Sequence, residues 1–276
     1  MTLSARNNYF RIGIALSFLS LVITVALSFT TFPAYPQLSA EAVRTTGIFQ
    51  SLVSRFFQPQ AYVSLATMIS SVLYAFVAMV LIYYFFEKTQ SPEILFIALF
   101  VSAFAFEGLR VMAPLRDVYD LSSFYPVLGS RTLLFARFFG IFSLFAASVY
   151  AAGLGEQKEG NIVFIIAIAA LVVALGTPID GLAWDSSLMM LRGYPSMLKM
   201  VEMGIMLITM ISFFISAYSR GSKEYIYIGI GSFLVFWGRA MLLASDTWVT
   251  PLPGLFLLAG GTWISCVQLH HVYLWL

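Results

Sequence analysis

Charge is what this chain has least of. Only 10% of its 276 residues are Asp, Glu, Lys or Arg, where an ordinary soluble domain carries about 25%. The net charge is +2 and no basic run occurs, so nothing points to a nucleic-acid partner. A single cysteine, Cys266, excludes an internal disulfide. The only histidines, His270 and His271, are adjacent and point different ways on a helix. They cannot supply a metal centre, or a haem held by two histidines on different helices. No nucleophile–histidine–acid set, zinc motif, phosphate loop, lipidation signal or glycosylation sequon occurs. No cofactor is implied, and an enzyme is the weaker expectation.

What the chain has instead is apolar length. Sixty per cent of it is hydrophobic, in runs of membrane-spanning size from one end to the other. The pattern predicts an all-α polytopic membrane protein, a bundle of eight transmembrane helices forming one domain over 1–276. The spans fall at about 12–32, 61–86, 94–115, 127–153, 162–179, 196–218, 225–245 and 254–276. The first run is longer than the 7–15 apolar residues of a signal peptide, so it reads as a retained span. Residues 39–57 place Phe49, Leu52, Val53, Phe56 and Phe57 on one helical face, predicting an amphipathic surface helix between spans one and two. The Trp/Leu/Met-rich piece 182–191 reads as a second short surface helix.

Eight spans put both termini on one side. Six loop Lys/Arg lie there (Arg6, Arg11, Lys88, Lys158, Arg220, Lys223), against four on the other side (Arg44, Arg55, Arg116, Arg192). That bias predicts cytoplasmic termini in a bacterial cytoplasmic membrane. Four marks recur in order in the two halves. A surface-helix candidate follows span one and span five. Arg55 and Pro59 precede span two as Arg192 and Pro195 precede span six. Phe106-x-Gly108 with Arg110 matches Phe236-x-Gly238 with Arg239, and Pro126 matches Pro253. They suggest two parallel four-helix repeats, 1–155 and 156–276.

Seven charged residues fall inside spans: Glu107, Arg110, Arg131, Arg137, Lys199, Glu202 and Arg239. At about 1.5 Å per residue, all of them lie in the half of the bundle away from the termini, although the spans run in alternating directions. The opposite half is expected to hold no charged side chain within a span. Such residues face a bundle interior or a wet cavity, and five cations against two anions suit a carboxylate or phosphate. All seven are therefore candidate ligand-binding residues, with Asp180, Asp185 and Asp246 at nearby helix ends. The competing account is that they pair with one another as helix glue, while Arg131 and Lys199 reach out to water.

The expected function is a ligand-binding membrane module of receptor or sensor type. Its pocket would take a small anionic or lipid ligand, and it would act through a protein partner. The layout resembles the seven- or eight-span input domains of bacterial sensory proteins. The alternatives are a transporter or transporter subunit for an anionic solute, with Ser20, Ser70, Ser71, Ser212 and Ser216 along the path, or a structural subunit of a membrane complex.

Overall fold

The computed structural model describes residues 3–31, 61–87, 89, 91–153, 159–185, 187–243 and 247–274. The surface helix expected over 39–57, and Asp246, lie outside them. The described chain is an all-α bundle with eight helical stretches long and apolar enough to cross a membrane. In order these are α1 (Leu3–Thr31), α2 (Ala61–Phe86), the α3–α4 stretch, α5 (Phe124–Ala151), α6 (Glu159–Gly176), α7 (Pro195–Arg220), α8 (Glu224–Leu243) and α9 (Pro251–Leu274). The third stretch is compound. Helix α3 (Pro92–Ala103) tightens into a 3-10 helix over Phe104–Val111 and continues as α4 (Met112–Tyr119).

Local chemistry sets the ends. Ser91 caps α3, its hydroxyl accepting from Ile94 N–H at 3.3 Å, with Pro92 in the first turn. Asp120 ends α4 in the left-handed conformation at φ 53°, a conformation Asp tolerates. Gly221 ends α7 the same way. Pro195 and Pro251 start α7 and α9, where a missing N–H costs nothing.

Residues 182–191 are not a helix. Strands β1 (Ile179–Trp184) and β2 (Met190–Arg192) form a small antiparallel hairpin. The Asp185 carboxylate accepts from Ser187 N–H, Ser187 Oγ–H and Met189 N–H, offering the backbone a turn in place of a helix. Leu188 sits at φ 61°, which also breaks a helix. At the hairpin's base Gly193 N–H donates to the Pro178 carbonyl at 2.8 Å, an approach that leaves no space for a side chain on Gly193.

The third stretch and α5 form the centre, with most of their apolar lengths buried, while α6, with few buried residues, lies at the margin. Contacts separate the two ends of the bundle. Arg6 reaches the Phe86 carbonyl, Phe86 packs edge-on against His270, and Tyr273 bonds Glu93, so both chain ends share one face. The hairpin closes the other face: Arg116 donates to the Gly181 carbonyl at 2.9 Å and Trp184 Nε1–H to Asp117 at 3.1 Å.

Close helix contacts run through small residues. Helices α8 and α9 meet backbone to backbone at Gly231, Gly238, Gly254 and Gly261. A Cβ on Gly238 would overlap the backbone of Leu258 and Gly254, whereas one on Gly204, in α7, meets nothing within 4 Å. Gly238→Ala is expected to lower stability by about 1–3 kcal/mol through overpacking. Gly204→Ala should raise it by about 0.5–1 kcal/mol, because glycine weakens a helix interior. Thermal unfolding of both variants in detergent checks the opposite signs.

Candidate functional site

The polar centre begins at the 3-10 segment, where α1 presses directly on the backbone. Ser20 Oγ–H donates to the Ala105 carbonyl, and Thr24 occupies the space a side chain on Gly108 would need. In a 3-10 helix, residues three apart eclipse one another. Glu107 and Arg110 therefore stack, with an N–O separation of 3.7 Å.

The main partner of Glu107 is a different residue. Arg137, on α5, donates from Nε to Glu107 Oε1 and from Nη2 to Oε2, both at 2.8 Å. That bidentate geometry is the strongest pairing the two groups can make. Glu107, Arg110 and Arg137 are all buried, at 1%, 1% and 7% exposure. Arg110 turns its Nε–H to the hairpin, donating to the Ser187 carbonyl at 2.6 Å. The hairpin is thus tied to the charge centre as well as to α4.

A second pair lies alongside. Arg239, on α8 and 4% exposed, donates from Nη1 to Glu202 Oε2 on α7 at 3.0 Å. Its Nη2 is buried without a hydrogen-bond partner among the described residues. Arg239 and Glu107 interact electrostatically, as do Arg137 and Glu202. Between the pairs is a cavity of about 10 Å³, lined by Glu107, Arg137 and Arg239 together with Phe100, Phe104 and Leu243. A volume of ~10–15 Å³ holds one water.

Five of the seven candidates therefore converge: Glu107, Arg110, Arg137, Glu202 and Arg239. Arg131 and Lys199 stand apart. Arg131 is half-buried and, among the described residues, reaches only the Leu175 carbonyl, at 3.4 Å, and Lys199 is exposed. Both sit close enough to the hairpin face for their long side chains to leave the centre. Of the helix-end acids, Asp180 is exposed, and Asp185 uses its carboxylate in the hairpin turn.

Arg192, at the end of β2, was not expected here. Burial pulls its pKa below the ordinary arginine value, and the neighbouring charge of Arg137 adds to this, while Glu202 and Asp185 act against it. Once 182–191 folds back as a hairpin, Arg192 returns over the centre; a helix there would have aimed it elsewhere.

The half nearer the termini is not bare of charge, contrary to the pattern of predicted spans. α1 begins at Leu3 and so includes Arg6, buried at 5%. Glu93 stands in the first turn of α3 at 1% exposure, accepting from Ser91 Oγ–H at 2.9 Å and Tyr273 O–H at 2.7 Å. Arg220 donates to Tyr225 Oη at 2.9 Å and to the Tyr150 carbonyl at 3.3 Å. α1 and α3 start earlier than the hydrophobic runs suggest, where Arg6 reaches the Phe86 carbonyl of α2 and Glu93 the Tyr273 hydroxyl of α9.

The two polar regions do not meet among the described residues. Glu93 and Glu107 are fourteen residues apart on one stretch, about 21 Å at 1.5 Å per residue. Phe96, Phe100 and Phe104 fill the interval, with Phe96 stacked on Tyr150 and Phe100 edge-on to Phe104. The hydroxyls of Ser70, Ser71 and Ser216 are spent on carbonyls of their own helices, and that of Ser20 on Ala105. Among the described residues no group of three or more His, Cys, Asp or Glu is placed to hold a metal ion.

No family model matches the chain. It is similar to an uncharacterized protein of Treponema pallidum (strain Nichols), 30% identical over 201 residues. The aligned region is 65% of this chain and spans 58% of the relative's length.

Removing one member of a buried ion pair strands the other, at a cost of about 3–5 kcal/mol. Glu107→Gln leaves Arg137 without its counter-charge and is expected to lose that much stability. Arg131→Gln and Lys199→Gln should each stay within about 0.5 kcal/mol. Unfolding of the three variants in one detergent checks the contrast.

Proposed function

We propose that this protein is a ligand-binding membrane module of receptor or sensor type. It takes a small anion or an anionic lipid headgroup at the arginine-rich centre beneath the hairpin and acts through a protein partner. The observation that carries the reading is Arg239. A buried guanidinium N–H with no acceptor costs about 1–3 kcal/mol or more. Here it lies at a cavity with a second guanidinium, Arg137, on the wall. An incoming acceptor oxygen or anion would relieve that cost.

At about 10 Å³ the cavity has room for one water, so a larger ligand would have to widen it. Ligand access means lifting the hairpin, whose ties to Arg110, Arg116 and Asp117 would report occupancy to α4 and the 3-10 segment. The phenylalanine column between the polar regions favours reception over transport, since a transporter needs polar access from both sides. The reading keeps cytoplasmic termini in a bacterial cytoplasmic membrane, the lipid-facing surface helix over 39–57, and the four-span duplication. The last is supported by the matching positions of Gly108 with Arg110 and Gly238 with Arg239: each pair combines a close helix contact with an arginine of the centre.

Native mass spectrometry of the wild-type protein, Arg239→Gln and Arg110→Gln in mild detergent tests this. The expected result is a co-purifying anionic small molecule or lipid, lost from both variants while they remain folded. No bound species in the wild-type protein would make the charges helix glue and replace the receptor with a structural subunit.

A further inference from the structure

Among the described residues a second cavity lies outside the charge centre, separated from it by Tyr74, which packs edge-on against Phe104 at 5.3 Å. It is a groove of about 690 Å³ between α2 and α9, within the ~300–1,000 Å³ range of small-molecule sites. Its wall carries no Lys, Arg, Asp or Glu. The hydroxyls it contains are already used: Tyr74 and Thr262 bond each other at 2.6 Å, and Ser70 bonds the Ala66 carbonyl. The Trp263 indole N–H, the Cys266 thiol and His270 remain. His270, at the end nearest the termini, has a buried Nδ1 with no hydrogen-bond partner among the described residues.

Three features define what fits. The groove follows α2 from Ser70 to Phe86, sixteen residues or about 24 Å. One leaflet of the hydrocarbon core is only about 15 Å deep, so the groove suits a chain longer than an ordinary leaflet-bound acyl tail. The uncharged wall suits an uncharged head, since a buried phosphate or carboxylate needs a paired cation. The head end is framed by rings: Phe85 lies edge-on to Trp263 at 6.0 Å and Phe86 edge-on to His270 at 5.7 Å. Such a frame receives another flat ring by offset or edge contact.

We propose that the α2–α9 groove binds an isoprenoid quinone. The chain lies along α2 toward Ser70, and the ring sits among Phe85, Phe86 and Trp263. His270 donates an imidazole N–H to a ring carbonyl; rotation about its broad terminal torsion presents the nitrogen to the groove. The assignment concerns binding and does not depend on the anion site beneath the hairpin.

The test is thermal unfolding of the full chain in detergent, titrated with decylubiquinone. Wild type should show a saturable rise in midpoint. Gly260→Leu puts a side chain into the groove at a position where a Cβ meets nothing within 4 Å, so the fold is kept while the rise should vanish. His270→Phe keeps the ring and removes the donor, and should weaken binding about tenfold. Gly204→Leu, open to the outside on α7, should bind as wild type does. The proposal is overturned if wild type shows no saturable rise, if Gly260→Leu responds as wild type does, or if oleate or phosphatidylglycerol reproduces the rise at the same concentrations.

Discussion

The bidentate contact between Glu107 and Arg137 is the interaction on which the rest of this bundle depends. A lone carboxylate at 1% exposure, or a lone guanidinium at 7%, would be among the most expensive features a membrane-spanning chain could carry. Joined by two 2.8 Å hydrogen bonds they become tolerable together, and the pairing locks α5 against the 3-10 segment in one register. Everything near the hairpin face follows from that register. It sets where Arg110 emerges toward Ser187, and where α8 must run for Arg239 to meet Glu202 while facing the same small cavity.

The tightened turn over Phe104–Val111 is the structural price of this arrangement. It arises where α1 packs against backbone at Gly108 and where Ser20 takes the Ala105 carbonyl. A 3-10 stretch inside a long helix has poorer hydrogen bonds than the α-helix around it. Its C-terminal end is tied to the hairpin through Arg110 and the Ser187 carbonyl. The terminal half has a different character: aromatic packing around Phe96, Phe100 and Phe104, then a fringe of hydrogen bonds around Glu93 and Arg220 that joins helix ends.

Much of this was legible in the residues. Eight apolar runs of spanning length could be counted directly, because the bilayer requires each to satisfy its backbone internally as a helix. The convergence of Glu107, Arg110, Arg137, Glu202 and Arg239 on one half also followed, from alternation of the spans and the rise per residue. Pairing did not follow. Spacing puts Arg110 beside Glu107, but nothing local says that Arg137, thirty residues on, makes the closer contact. Residues 182–191 misled for a related reason: their Trp, Leu and Met suit a surface helix, and only the Asp185 turn and the ties to α4 select a hairpin.

By itself, the sequence determined the class of molecule, the number and order of spans, and the half in which Glu107, Arg110, Arg137, Glu202 and Arg239 lie. Each of these depends on the solvent each residue prefers, and hydrophobic runs record that preference one residue at a time. Tertiary structure alone decided which charges meet, which leave the centre for the surface, and that Arg6 and Glu93 are buried near the termini. These outcomes depend on what neighbouring helices offer across the gap. A carboxylate or guanidinium can be buried wherever a partner arrives, and the partner comes from a distant part of the chain.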